Sequence, residues 1–167
     1  VAFGRCALNA NTTGANNTFV GFTAGYYQTT GAQNTAVGMQ ALESNTTGAD
    51  NTAIGYNSLD ANSTGYQNIA LGNNALLLNT TANNNTAVGY QAGKVTTYDG
   101  LTAIGYQAGY SNTTGAYNNA LGYRALRTNT TGTYNVALGT ALYNNTTGSY
   151  NIAAGFQALD TNTTGTY

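Results

Sequence analysis

Groups that can ionise, coordinate a metal or attack a substrate are scarce in this chain. There are five carboxylates, Glu43, Asp50, Asp60, Asp99 and Asp160, one thiol, Cys6, and no histidine. Glu43, Asp60 and Asp160 fall at one position of an internal repeat, but only the first two lie in neighbouring units, and a solvated edge is the expected role. No serine or cysteine has a base at a recurring offset, so neither an acid–base pair nor an activated nucleophile can be assembled, and no catalytic residue is expected. A zinc set needs several Cys or His ligands, and a calcium-binding coil needs a carboxylate in every turn. Neither pattern is present, so no metal or cofactor is expected. The single Cys6 forms no intrachain disulfide and is predicted to be a small buried apolar residue.

What does recur is amide and phenol. Asn11, Asn45, Asn62, Asn79, Asn112, Asn129, Asn145 and Asn162 each open an Asn-x-Ser/Thr acceptor sequence, and Asn16, Asn84 and Asn144 satisfy the same motif. Glycosylation would decorate the chain with a row of sugars. The competing expectation, favoured here, is that Asn and Thr of successive units stack as a hydrogen-bonded ladder. Tyr117, Tyr134, Tyr150 and Tyr167 form one aromatic row, and Tyr56, Tyr90, Tyr106 and Tyr123 form another with Phe22 and Phe156. Such rows stack on one another, or present rings to sugars or a second fibre. Mutual stacking is the first expectation.

These rows exist because the chain is ten tandem units. Gly4, Gly21, Gly38, Gly55, Gly72, Gly89, Gly105, Gly122, Gly139 and Gly155 are spaced 17 residues apart, apart from two steps of 16. A fixed short period of this kind marks a stacked repeat architecture. With each of these glycines placed at position 5, the unit reads N-T-A-V-G-Y-Q-A-L-x-x-N-T-T-G-x-Y. Position 3 is Ala except at Phe19, position 4 is large and apolar except at Ala154, and position 9 is Leu except at Gly25, Gly93 and Gly109.

A helix would need apolar residues at 3.6-residue spacing, which Asn-Thr-Thr-Gly interrupts in nearly every unit. Adjacent apolar positions, 3 with 4 and 8 with 9, point to opposite faces of an extended chain. The pattern therefore predicts an all-β parallel solenoid of ten coils of about 17 residues. Each coil is expected to hold two short strands joined by glycine corners at positions 5 and 15, with the small residue inside and the larger one against another surface, or the reverse. The units 85–100 and 135–150 are one residue short. A deletion inside a strand would turn side chains to the wrong face, so both should be absorbed at corners as a bulge or altered turn.

Charged residues are only 5 % of the chain and the formal net charge is −1. The four basic residues, Arg5, Lys94, Arg124 and Arg127, form no cluster of the kind nucleic acid requires, so DNA and RNA are excluded as expected partners. No run of 18 apolar residues predicts membrane insertion, and no secretory leader is recognisable. The chain opens inside a unit at Val1 and closes on one at Tyr167, which predicts a single repeat segment, 1–167, of a longer protein.

So little large apolar volume per coil, set against the entropy of ordering every backbone, predicts that chains associate laterally through the position 4 or position 9 ridge. The run N-T-A-V-G with its Gly-terminated polar turn resembles the repeat of trimeric autotransporter adhesin heads. G-Y-Q-A-L followed by N-T-T-G is similar to repeats of bacteriophage tail-fibre and related surface proteins. The resemblance implies a parallel β-roll, a homotrimer or filament, and an extracellular, cell-surface or virion-surface place. A non-enzymatic fibre segment is the expected function. The alternatives are an adhesin holding cell-surface carbohydrate on its Tyr and Asn rows and, less favoured, an ice-binding solenoid suggested by the repeated Thr pairs.

Overall fold

The computed structural model describes residues 1–166. Tyr167, the last member of the outer tyrosine row, lies outside the described residues. Ten strands are present: β1 (Ala2–Phe3), β2 (Thr18–Val20), β3 (Thr35–Val37), β4 (Thr52–Ile54), β5 (Ile69–Leu71), β6 (Thr86–Val88), β7 (Thr102–Ile104), β8 (Asn119–Leu121), β9 (Val136–Leu138) and β10 (Ile152–Ala154). They form one parallel sheet in sequence order, and the chain winds through it as a β-solenoid of about nine turns. Pairing is in register with the repeat, as in Thr35↔Thr52, Ala36↔Ala53 and Val37↔Ile54. Alternation along the strand turns the alanine inward and its neighbours outward. Ala36, Ala53, Ala70, Ala87, Ala103, Ala120 and Ala137 are accordingly fully buried.

The expected second strand is not formed; each coil has one strand. The reason lies at positions 7 and 9, where Gln40 (φ 58°) and Leu42 (φ 55°) adopt left-handed backbone. Two consecutive turns result, closed by Ala41 N–H to Gly38 O at 3.3 Å and Asn45 N–H to Leu42 O at 3.3 Å. A chain curled in this way does not alternate, so Ala41 and Leu42 both face inward and both are fully buried. Leu59, Leu76, Leu126 and Leu142 are equally enclosed. The position 9 leucine thus fills its own coil, and of the two ridges expected to meet a neighbouring chain only position 4 faces outward.

Three coils have glycine at position 9, and each takes the same left-handed backbone: Gly25 (φ 60°), Gly93 (φ 55°) and Gly109 (φ 57°). The missing leucine volume is supplied by the two interior outliers of the sequence. A Cβ on Gly25 would strike the ring of Phe19, and one on Gly93 would lie 2.9 Å from Leu101 Cδ2. Gly109 backs onto the same Leu101, with a Cβ 3.2 Å from its Cδ1. Phe19 and Leu101 are fully buried. The core is thus kept filled by exchanging volume between positions, as close packing demands.

Both short units keep their strand register. β6 pairs with β7 through Thr86↔Thr102, and β9 with β10 through Val136↔Ile152. The losses fall in turns, as expected. In 85–100, Gly100 closes the coil with φ 77°, and in 135–150 the corner at Gly139 opens from the usual value near 135° to 85°.

Candidate functional site

The corner glycines are required for two reasons. At Gly38 the backbone has φ 140° and a Cβ would come within 2.5 Å of Gly55 O in the next coil. The same holds in kind at Gly4, Gly21, Gly55, Gly72, Gly89, Gly105 and Gly122, while at Gly139 and Gly155 the clash is relieved. The second column, at position 15, has ordinary φ and does not need the left-handed freedom of glycine. Gly48 needs space alone, since a Cβ would lie under 3.0 Å from both Asn45 Oδ1 and Gly65 O.

Those close approaches make room for two asparagine ladders. At position 12, Asn62 Nδ2 donates to Asn45 Oδ1 at 2.8 Å and to Gly65 O at 3.0 Å, and Asn145 Nδ2 donates to Asn129 Oδ1 and Gly148 O at 2.8 and 2.9 Å. Gln28 takes the place of Asn in one coil and accepts from Asn45. Asn45, Asn62, Asn79, Asn112, Asn129 and Asn145 are fully buried, with Asn11 and Asn162 half-buried at the two ends. A glycan is carried on Nδ2, the atom that serves as ladder donor. In the folded rod these eight acceptor sequences are therefore rungs. Asn16 and Asn84 carry the motif on the outside, and Asn144 is half-buried. At position 1, which the sequence did not single out, Asn51 N–H donates to Asn34 Oδ1 at 2.9 Å, and Asn51 Nδ2 to Gly65 O at 2.8 Å.

The tyrosine rows stack. Tyr117–Tyr134 and Tyr134–Tyr150 have ring centroids 5.2 and 5.3 Å apart with planes within 20° of parallel. In the inner row, Tyr90–Tyr106 and Tyr106–Tyr123 are 5.5 and 5.3 Å apart. The cations interleave with rings: Arg124 lies over Tyr106 and Tyr123, Lys94 over Tyr110, and Arg127 over Tyr110 and Tyr143. Each contact of this kind is worth about 0.5–1 kcal/mol at an exposed site.

The acidic pair differs from the solvated edge expected. Asp60 is half-buried beside Glu43, and its pKa is raised from 3.8 to about 6, first by burial and then by the charge of Glu43 and their hydrogen bond. Cys6 is exposed, not buried, since its turn belongs to the first coil. The hydroxyl of the first threonine is occupied within the rod in most pairs, as in Thr46 Oγ1 to Ser63 O at 3.0 Å, while Thr96 Oγ1 has no partner. In the pairs 29/30, 46/47, 113/114, 130/131 and 146/147 only the second threonine is exposed, so the outer threonine row is one residue wide there.

The feature with the greatest extent is an apolar strip along the strand face. Val37, Ile54, Ile104, Leu121 and Leu138 at position 4 remain 37 to 43 % exposed. Phe22, Met39, Tyr56, Tyr90 and Tyr106 run beside them at position 6, all exposed. Beyond Tyr123 this second row is interrupted by a cleft of about 250 Å³. The shortened unit 135–150 signalled an altered turn there, but nothing in its residues signalled a cavity. Comparison with protein-family models, curated proteins and solved structures finds no match for this chain.

Proposed function

We propose that the chain is a length of non-enzymatic, self-assembling fibre, exposed outside the cell or on a virion, in which copies cover one another's strand faces. The observation that carries this reading is the position 4 and position 6 strip, apolar over nearly the whole rod. At about 4.8 Å per coil, nine steps extend it over roughly 43 Å. Exposed apolar surface that is continuous on this scale marks an association site. A parallel homotrimer about a common axis would place three such strips against each other in identical register, because each coil offers the same residue at the same height. The likeness of the repeat to trimeric autotransporter heads and phage tail fibres supports the same arrangement.

Sedimentation equilibrium tests it. The native chain is expected at three times its own mass or as a longer filament, and I54S/I104S/L138S is expected to fall to the monomer with its sheet intact. A stable native monomer would overturn the reading. The carbohydrate-binding alternative has less room on the tyrosine row, because the faces of Tyr117, Tyr134 and Tyr150 are turned to one another at 5.2–5.3 Å. Only their edges and the outermost ring faces are open to a sugar. Glycan binding that disappears when these three are replaced by Ala would favour it.

A further inference from the structure

The inner aromatic row keeps a strict rhythm and then drops a ring. Tyr90, Tyr106 and Tyr123 stack at 5.5 and 5.3 Å with planes within 12° of parallel. The next coil lacks one residue between Gly139 and Ala141, so Thr140 stands alone where the three coils before it carry a ring followed by a polar residue, Tyr90-Gln91, Tyr106-Gln107 and Tyr123-Arg124. The coil after that resumes the row with Phe156, which is 82 % exposed. Two coil rises, about 10 Å, therefore separate the flanking rings. A flat ring in contact with both needs about 3.5–4 Å on each side, so the gap admits one ring at the spacing of the rest of the row. The cleft of about 250 Å³ occupies this gap. It is smaller than the roughly 300–1,000 Å³ of sites for drug-sized ligands, and suits a single ring.

The rim of the gap is polar and carries both signs. Arg124, Gln157 and Asp160 line it together with Thr140. Arg124 Nε is buried and has no hydrogen-bond partner, while its guanidinium lies 5.0 Å from the Tyr123 ring centroid. A donor with no acceptor, a carboxylate acceptor and an amide thus surround a slot bounded by two aromatic side chains. A pyranose has complementary chemistry: C–H groups on its faces meet aromatic rings, and hydroxyls around its edge both donate and accept. An anionic ligand would be opposed by Asp160 and a cationic one by Arg124, so the ring is neutral. We propose that the gap between Tyr123 and Phe156 is a binding site for one neutral pyranose unit of a glycan. The site lies at the position 6 margin of the strip that carries the fibre reading and is open to a ligand where copies meet through position 4 alone. Association is read by sedimentation and sugar binding by titration, so the failure of one is distinguishable from the failure of the other.

The test is a nuclear magnetic resonance titration of the full chain with the methyl β-pyranosides of glucose, galactose, mannose and N-acetylglucosamine, and with p-cresol as an aromatic control. At least one sugar is expected to saturate with a Kd on the order of 1 mM and to shift the signals of Thr140, Gln157 and Arg124 Nε. F156A, altered at an exposed ring, should lose about tenfold in affinity. T140Y, which continues the stack of Tyr90, Tyr106 and Tyr123 into the gap, should abolish binding, and Y134A in the row of Tyr117 and Tyr150 should leave it unchanged. The proposal is overturned if none of the sugars binds at tens of times that concentration, if T140Y binds like the native chain, if Y134A removes binding, or if p-cresol binds more tightly than every sugar.

Discussion

Residues 34–82 and the unit 85–100 are built on the same plan, yet they differ in how completely their position 1 asparagines are satisfied. In the regular stretch each position 1 asparagine is used at both ends: Asn34 Nδ2 reaches Gly48 O at 2.8 Å while Oδ1 accepts Asn51 N–H at 2.9 Å. In the shortened unit the turn that should supply the carbonyl is replaced by Lys94-Val95-Thr96-Thr97-Tyr98-Asp99-Gly100. Asn85 Nδ2, Asn79 Oδ1 and Thr96 Oγ1 are consequently buried without partners, all around one coil. The strands ignore this difference, since register is carried by the sheet on the opposite side. Stability of the rod therefore rests on the ladders as well as on the sheet, and the irregular turn of 85–100 is where both ladders are interrupted.

The interior volume exchange offers the largest test of this comparison. F19A should destabilise the rod by about 3–5 kcal/mol in chemical denaturation, as expected for emptying a Phe-sized core site. F19A/G25L restores the alanine and leucine pair of the regular coils and should return to within about 1 kcal/mol of the native chain. If the second substitution gives no rescue, the two positions do not share one volume.

Next are the rungs. N51A removes the bond to Gly65 O and leaves Asn68 N–H, 3.0 Å from Asn51 Oδ1, without its acceptor. A loss of about 2–5 kcal/mol follows, since both groups are buried. N85A deprives only Leu101 N–H, at 2.7 Å, and also deletes a donor that already has no partner, so about half that loss is expected. Equal losses would contradict the difference drawn between the two regions.

The second glycine column gives a smaller contrast. G48A forces a Cβ against Gly65 O and should cost about 1–3 kcal/mol by overpacking. Ala82 occupies the same position where the following coil is the irregular one, and it is buried without displacing the sheet. A82G should therefore change the denaturation midpoint little, and a comparable shift in the two variants would refute the spatial role of this column.

The smallest effect is electrostatic. The folded rod holds the Asp60 proton more tightly than the unfolded chain, with a pKa near 6 against 3.8. This contribution to stability is complete below pH 3.8, declines as pH rises through 6, and is flat above. Melting temperature measured from pH 4 to 8 should fall across that window in the native chain, and D60N should flatten the fall. An unchanged slope in D60N would assign the pH dependence elsewhere.

Much of the fold was legible because translation along the axis repeats every choice. Thr-Ala-Val before Gly indicated the strand and the parallel stack, while which of its two faces turns inward is settled only where the coil closes on alanine. The second strand was read wrongly because Ala-Leu at positions 8 and 9 looks like alternation. The contrary signal was also present: a position that accepts Leu or Gly is one that needs left-handed backbone, and Gly25 and Gly109 accompany the outliers Phe19 and Leu101. The ladder function of Asn45 and its equivalents was anticipated from spacing. The position 1 asparagines were missed because nothing distinguishes an inward from an outward Asn until the turn geometry is known. The cleft at Thr140 was beyond the sequence for a similar reason, since a deletion marks an altered corner without telling whether the gap closes.

The ladder as the spine of the rod is tested most directly by amide hydrogen exchange at position 1. Asn34, Asn51, Asn68, Asn85, Asn135 and Asn151 each donate their backbone N–H to the side-chain oxygen of the asparagine one coil earlier. Asn118 follows Leu101, which has no such oxygen, although Asn118 is just as buried. The account predicts slow exchange at the six bonded amides and exchange on the order of a hundredfold faster at Asn118. Uniform protection across all seven would contradict it.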